Sequence, residues 1–230
     1  MAPLFSIVIP AYNEEKYIRK TLQSIKSQTF RDFEIIVVAN GCTDKTEEIV
    51  KKRANSDLRL LSLPKANVSV ARNAGALNAN GNVLVFVDAD TTLEADSLKK
   101  IKDEFTPEYA VATTLVKPDL EKIKYRAALS FKNFYNKTKL YQGCSGVLIC
   151  RKDDFKAVQG YDPSIVVKEH KKLITKLHQR GKYRCVNTEA TNSMRRFEQW
   201  GLGKATSFWI SQWLKDKFSN VKNSEYETIR

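Results

Sequence analysis

At 230 residues with 42% hydrophobic side chains, the chain can bury a full core and reads as one globular domain with room for a small appendage. No run approaches the roughly 18 apolar residues of a membrane-spanning helix, and no repeat or low-complexity tract is present. Thirty-nine basic against 26 acidic residues leave a net charge of +13, which favours phosphorylated ligands, polyanions or an anionic membrane surface without choosing among them. The excess is local: residues 117–139 carry seven Lys or Arg against two acids, and 168–184 carry seven against one. Four cysteines lie far apart without a Cys-x-x-Cys pair, which argues against a zinc site or disulfide framework. The start enters a strand directly, without a signal-peptide pattern, so a cytoplasmic location is expected.

In chain order, "FSIVIP" (5–10) is a β-branched strand ended by proline. "NEEKYIRKTLQSIKSQ" predicts a helix capped by Asn13, with Ile18, Leu22 and Ile25 on one face. "FEIIVVAN" (33–40) is a second strand, "TDKTEEIVKKRA" a helix behind a Thr-Asp cap, and "LRLLSL" (58–63) a third strand. "NVSVARNAGALNAN" (67–80) predicts a helix and "NVLVFVD" (82–88) a fourth strand. Alternation at this spacing means α/β: an open, mostly parallel central sheet with helical crossovers. Beyond it, "EADSLKKIKDEF" predicts a helix, "YAVATTLV" (109–116) a strand, and 119–141 a Lys- and aromatic-rich amphipathic stretch. A strand at 146–150, helices at "KDDFKAVQG" and "EHKKLITKLHQRG", and a strand at 182–188 complete the body. A tail helix would line up Trp209, Ile210, Trp213, Leu214 and Phe218 on one face.

The first, second and fourth strands end in "PAYNEE", "ANGCTD" and "DADTT", loops that converge on the carboxyl edge of a parallel sheet, where nucleotides bind. Asp88 and Asp90 on a D-x-D turn there suit a hard divalent cation, Mg²⁺ or Mn²⁺, which takes few carboxylates and completes its shell with water and phosphate. The same pair would also arise as a cap before the helix that follows.

"SIVIPAYNEEKYIRKTLQSIKSQ", "FEIIVVANGCTDKT", "VARNAGALNANGNVLVFVDADT" and "VQGYD" together resemble the family-2 glycosyltransferases with the A-type fold, from about Phe5 to Gly201. The resemblance implies that Pro10, Ala11, Tyr12 and Glu14 line the base and ribose pocket of a nucleoside-diphosphate sugar. By the same resemblance Arg72 lies near the nucleotide or diphosphate, Asp88 (with Ala89 between the acids) holds ribose, and Asp90 holds the metal. Two departures stand out. The second-strand loop has Ala39 where relatives carry an acid, leaving Asn40 and Asp44 as its polar residues. After "GYD", where relatives carry Glu-Asp with Asp as base, this chain has Glu169 and His170. His170 as base, His170 as metal ligand or bystander, and Glu169 as base all remain open, since an imidazole of pKa about 6.5 suits either chemistry. Lys168, Lys171 and Lys172 would lower the His170 pKa. Arg195 or Arg196 would reach a diphosphate or lipid phosphate, and Cys144 and Ser145 would line the acceptor pocket.

The expected protein is an inverting, metal-dependent glycosyltransferase. It would take a UDP- or GDP-type sugar donor and a glycan or lipid-linked acceptor, with peripheral contact to an anionic membrane or a homodimer. A catalytic domain over 1–203 would divide near residue 92, with a helical appendage at 204–230. A non-catalytic nucleotide-sugar or glycan-binding module is the rival, and a nucleic-acid binder, resting on charge alone, the third.

Overall fold

A computed structural model describes residues 2–138, 143–144, 146–165 and 168–218, with the side chains of 202, 206, 209, 210 and 212–218 excepted. Ser145 and the expected aromatic tail face (Trp209, Ile210, Trp213, Leu214, Phe218) therefore lie outside the described residues. The elements run β1 (Phe5–Ala11), α1 (Ile18–Lys26), β2 (Phe33–Asn40), α2 (Thr46–Lys51), β3 (Leu58–Leu63), α3 (Val68–Leu77), β4 (Val83–Val87) and β5 (Thr91–Leu93). They continue as α4 (Ser97–Glu104), β6 (Tyr109–Pro118), α5 (Ile123–Lys137), β7 (Val147–Arg151), α6 (Lys152–Ala157), α7 (Glu169–Leu177), β8 (Lys182–Asn192) and α8 (Arg195–Phe218).

Among the described residues the strands form one eight-stranded sheet in the order β3-β2-β1-β4-β7-β6-β8-β5. The first four strands are parallel, as crossover helices require. β7 then enters antiparallel between β4 and β6, and β5 pairs antiparallel with β8, so the second half is mixed. The three-residue β5, directly after the D-x-D turn, is too short to leave a period-2 pattern in the sequence.

Both faces of the sheet are covered, which explains why its strands read as unbroken apolar runs. Ile7, Ile9, Ile35, Val37, Val85 and Val87 point to a layer with Ile18, Leu22 and Ile25 of α1 and Leu98 and Ile101 of α4. Val8, Ile36, Val38, Leu84 and Phe86 point the other way, onto Ala71 and Ala76 of α3 and Leu173, Ile174 and Leu177 of α7. α3 reaches its strands so closely at Gly75 that a Cβ there would collide with the Val8 and Val38 side chains.

Two local expectations are corrected. Asn13 is not a helix cap: it sits at φ 54°, α1 begins at Ile18, and the Asn13 side chain instead accepts the Thr43 N–H at 2.8 Å. The last helix begins at Arg195 rather than at 204, as two helical pieces joined at Gly201, whose φ of 73° and ψ of 159° break the run. The Lys- and aromatic-rich stretch forms α5, with Phe131 and Phe134 outward and Tyr125, Asn133 and Asn136 inward.

Candidate active site

β1 pairs with β2 through Ala11↔Ala39 but with β4 only as far as Val8↔Phe86, so the sheet opens beyond Val8 on one side. Pro10 and Ala11 are buried in that last stretch of β1, where a missing N–H costs the β4 ladder nothing. The two neighbouring loops are laced together. Glu14 N–H donates to Thr46 Oγ1 (2.7 Å), Glu15 N–H to Asp44 Oδ2 (3.1 Å), and the Lys45 N–H to Glu15 Oε2 (3.0 Å). Burial would raise the Asp44 pKa, but the hydroxyl and N–H of Thr46 and the Glu15 N–H outweigh it and hold the carboxyl below its ordinary value. Asn40, 4% exposed, accepts the Asn67 N–H at 2.8 Å, and Asn67 caps α3 by accepting from Val70 N–H. The loops that the sequence pointed to are thus braced from within, and Tyr12 lies half-buried at their edge.

β4 delivers Asp88 and Asp90 past its last residue, with buried Ala89 between them accepting the Thr21 hydroxyl at 2.7 Å. Each acid meets a guanidinium. Arg195, at the start of α8, forks onto both oxygens of Glu14 (2.8 and 2.7 Å), and its Nη2 lies 3.0 Å from Asp90 Oδ2. Arg72 on α3 bridges Asp88 Oδ1 (2.9 Å) and Glu169 Oε1 (2.8 Å) and lies over the Tyr161 ring at 5.2 Å. Burial opposes the Arg72 charge, and Tyr161, Asp88 and Glu169 more than restore it. At 3% exposure, Arg72 is held between these two carboxylates.

The directly paired groups are Glu14, Asp88, Asp90 and Glu169 against Arg72 and Arg195, four negative charges minus two positive. The imbalance falls on Asp90. Burial pushes its carboxyl up to about 7; Arg195 pulls it back, and Asp88 and Glu14 push it further. The ion pairs engage Asp88 through Oδ1 and Asp90 through Oδ2. Hard carboxylate oxygens at a strand end, in a network with more acidic than basic groups, fit a divalent cation that shares its shell with phosphate. Among the described residues no cluster of three or more His, Cys, Asp or Glu is arranged as an all-protein metal cage.

The two sequence landmarks "VARNAG" and "VQGYD" prove to be one joint. The Asn73 side chain donates to Tyr161 C=O (2.8 Å) and accepts the Tyr161 N–H (3.0 Å). Gly160, at φ 61°, makes this approach possible, since a Cβ there would meet Asn73 Oδ1 and the Phe155 ring. The joint presents Tyr161 Oη at 2.9 Å from His170 Nδ1, while His170 Nε2 is buried 3.9 Å from Glu169 Oε1. Burial, then Arg72 and Lys132, holds the His170 pKa well below 6.5, so the imidazole is neutral at neutral pH. The direction matches the sequence expectation but the cause does not: Arg72 and Lys132, distant in sequence, act on His170 in place of the adjacent lysines. Lys132, from α5, is the residue that sequence reasoning missed, because nothing local separates it from the other lysines of its run. Tyr161 and Asn73 lie inside the motifs "VQGYD" and "VARNAG", but no role was read for either from the sequence.

Cys144 donates to the Val147 carbonyl at 3.1 Å, and burial followed by Asp88 raises its thiol to about 12, so it stays protonated. Arg196 stacks its guanidinium over the Trp200 ring at 5.1 Å, away from the Glu14–Asp90 pair that Arg195 serves.

The α/β sheet, with a D-x-D turn at the end of its fourth strand, has the A-type fold. The family model described as "Glycosyl transferase family 2" matches residues 6–157, more than half of the chain, and the chain belongs to that family. It is 36% identical over 133 residues to the glycosyltransferase GlyA of Streptococcus pneumoniae, which covers 57% of this chain and 17% of that protein. It is 37% identical over 106 residues to the uncharacterized glycosyltransferase EpsJ of Bacillus subtilis, 45% of this chain and 31% of the relative. The chain therefore spans less than a third of either relative's length in the matched region. Its fold superposes on S. aureus TarS residues 1–349 in complex with UDP-GlcNAc with a TM-score of 0.63 at 21% identity, covering 84% of this chain and 58% of that one. A mannosyltransferase from Pyrobaculum calidifontis in complex with GDP-Man and Mn²⁺ gives a TM-score of 0.70 at 19% identity, covering 92% and 65%.

Proposed function

We propose that this chain transfers a sugar from a nucleoside-diphosphate donor to a hydroxyl or phosphate acceptor, by a single inverting displacement that depends on a divalent cation. The observation that carries it is the D-x-D pair, Asp88 and Asp90, at the open end of β4, in a network where four carboxyl groups meet two guanidinium groups. Structural neighbours in complex with UDP-GlcNAc or with GDP-Man and Mn²⁺ support the donor class and the cation.

In this reading Asp90, with Asp88, would hold the cation, which would supply charge neutralisation to the departing diphosphate. Pro10, Ala11, Tyr12 and Asp44 flank the base and ribose. Arg195 stays forked on Glu14, and its Nη2, which also faces Asp90, can offer its remaining hydrogen to a phosphate. Proton removal from the acceptor falls to the Glu169–His170 pair, beside Cys144 and Lys132. The acceptor oxygen then attacks the anomeric carbon as the carbon–oxygen bond to the diphosphate breaks, and the electron pair leaves with the nucleotide.

The neutral, weakly basic His170 also supports a second reading, a domain that binds nucleotide sugar without transferring it. One experiment separates the two: nucleotide release from a panel of UDP- and GDP-sugars, with and without Mn²⁺, alongside thermal shifts. Metal-dependent release carries the transferase reading. Stabilisation without release across the panel leaves the binding module.

A further inference from the structure

α5 is built inside out. Ile123, Phe131 and Phe134 are 86%, 63% and 59% exposed, and with exposed Ala127 and Ser130 they recur at the three- and four-residue spacing of a single face. The opposite side holds the helix to the body by polar groups. Asn133 donates to the Val116 carbonyl at 2.8 Å and accepts the Val116 N–H at 2.9 Å, and Asn136 and Tyr125 are buried. A helix that only covered its sheet would do the reverse.

The helix itself carries charge of one sign, and its Lys122 is paired with Glu198 of α8. Residues 122–138 contain Lys122, Lys124, Arg126, Lys132 and Lys137 and no acid. At 100° per residue, Lys124 flanks one edge of the apolar stripe while Arg126 and Lys137 flank the other. Phe131 and Phe134 both lean on Tyr135, with ring centroids 4.6 and 6.1 Å apart, so the exposed rings form one aromatic patch. An apolar stripe bordered by cations matches the boundary between acyl chains and acidic headgroups, where rings enter and lysine stems reach back to phosphate.

We propose that the outward face of α5 is a docking surface for an anionic lipid bilayer, with Phe131, Phe134 and Ile123 entering the interface and Lys124, Arg126 and Lys137 meeting the headgroups. Lys132, on the inner side of the same helix, stands within the electrostatic reach of Asp88 and Cys144. The candidate site then lies behind this helix as seen from the lipid. Such a position gives a lipid-linked acceptor a short route to the Glu169–His170 pair. That consequence rests on the transferase reading; the lipid contact itself does not.

Flotation with vesicles tests it, using pure phosphatidylcholine against phosphatidylcholine containing roughly a quarter phosphatidylglycerol, at low and high salt. The protein is expected to float with the anionic vesicles alone and to be released by salt. Because burying a ring is worth about tenfold in partitioning, Phe131→Ser with Phe134→Ser should weaken association about a hundredfold. Leu77→Ser, 80% exposed on α3, should leave it unchanged, and Lys124→Glu with Lys137→Glu should abolish it even if the serine variant folds poorly. Protein that stays at the bottom of the gradient at low salt overturns the proposal. So does flotation of the serine or charge-reversed variants equal to that of the wild type, or a wild-type dimer that the serine pair dissolves while lipid binding is absent. Nucleotide release, measured on the same variants without lipid, is expected to be unchanged; its absence in the wild type would sink the transferase reading and leave the lipid contact standing.

Discussion

Replacing Arg72 by methionine removes the cation between Asp88 and Glu169 while keeping most of the side-chain volume. Glu169 is 14% exposed at its side chain and would face Asp88 across an apolar stem, so its stranded carboxylate carries most of the cost. Removing one partner of a buried pair costs about 3–5 kcal/mol. Asp88 is 38% exposed, and its share is discounted because water replaces the lost partner. We expect a loss of about 3 kcal/mol, a large part of the 5–15 kcal/mol by which such domains are stable. Urea unfolding followed by tryptophan fluorescence should show a lower midpoint with an unchanged slope. Arg72→Lys, which keeps the charge but reaches one carboxylate at a time, should fall between the two. A methionine variant within about 0.5 kcal/mol of wild type would refute the bridge. A variant of full stability that has lost only donor affinity would instead move Arg72 to the diphosphate, the role that the family resemblance implies.

Asp90→Asn should lower metal-dependent nucleotide release about 10²–10³-fold and remove the effect of Mn²⁺ on donor affinity in calorimetry; unchanged metal linkage would exclude Asp90 as a ligand. His170→Gln and Glu169→Gln should divide the proton-transfer role: the true base loses about 10²–10⁴-fold in acceptor transfer with donor binding kept, and the pH–rate profile of the other variant keeps its acid limb. Arg195→Ala should weaken UDP binding and lower stability, because it strands Glu14, which is 5% exposed; equal donor affinity would confine Arg195 to bracing. Glu34 accepts from Ser6 Oγ (2.6 Å), Asn80 N–H (2.5 Å) and Arg59 (2.6 Å). These bonds outweigh its burial and hold its pKa below the ordinary 4.5. The stability they contribute is present above that value and is lost as pH falls through the lower folded pKa. Glu34→Gln should therefore cost about 1–3 kcal/mol at pH 7 in urea melts and progressively less below pH 4.5; a pH-independent difference would contradict the linkage.

Local periodicity carried the sequence a long way. β1 to β4 and the helices between them were legible because apolar runs and caps depend on residues a few positions apart, and their alternation dictates parallel pairing. The same rule brought the ends of β1, β2 and β4 to one crevice, with Asp88, Asp90 and Glu14 in it. The mixed half of the sheet was not legible, because the insertion of β7 between β4 and β6 depends on which edges are free once the first half has formed. Nor were the partners of the site residues. Arg195 meets Glu14 across 181 positions and Arg72 meets Glu169 across 97, and a sequence names the charges without saying which will lie within 3 Å. Lys132 was one lysine among several in a basic run until the fold turned it toward Asp88 and turned Phe131 and Phe134 outward. Ion pairs and exposed faces follow from the packing of whole elements, a long-range property, whereas strands and helices answer to their nearest neighbours.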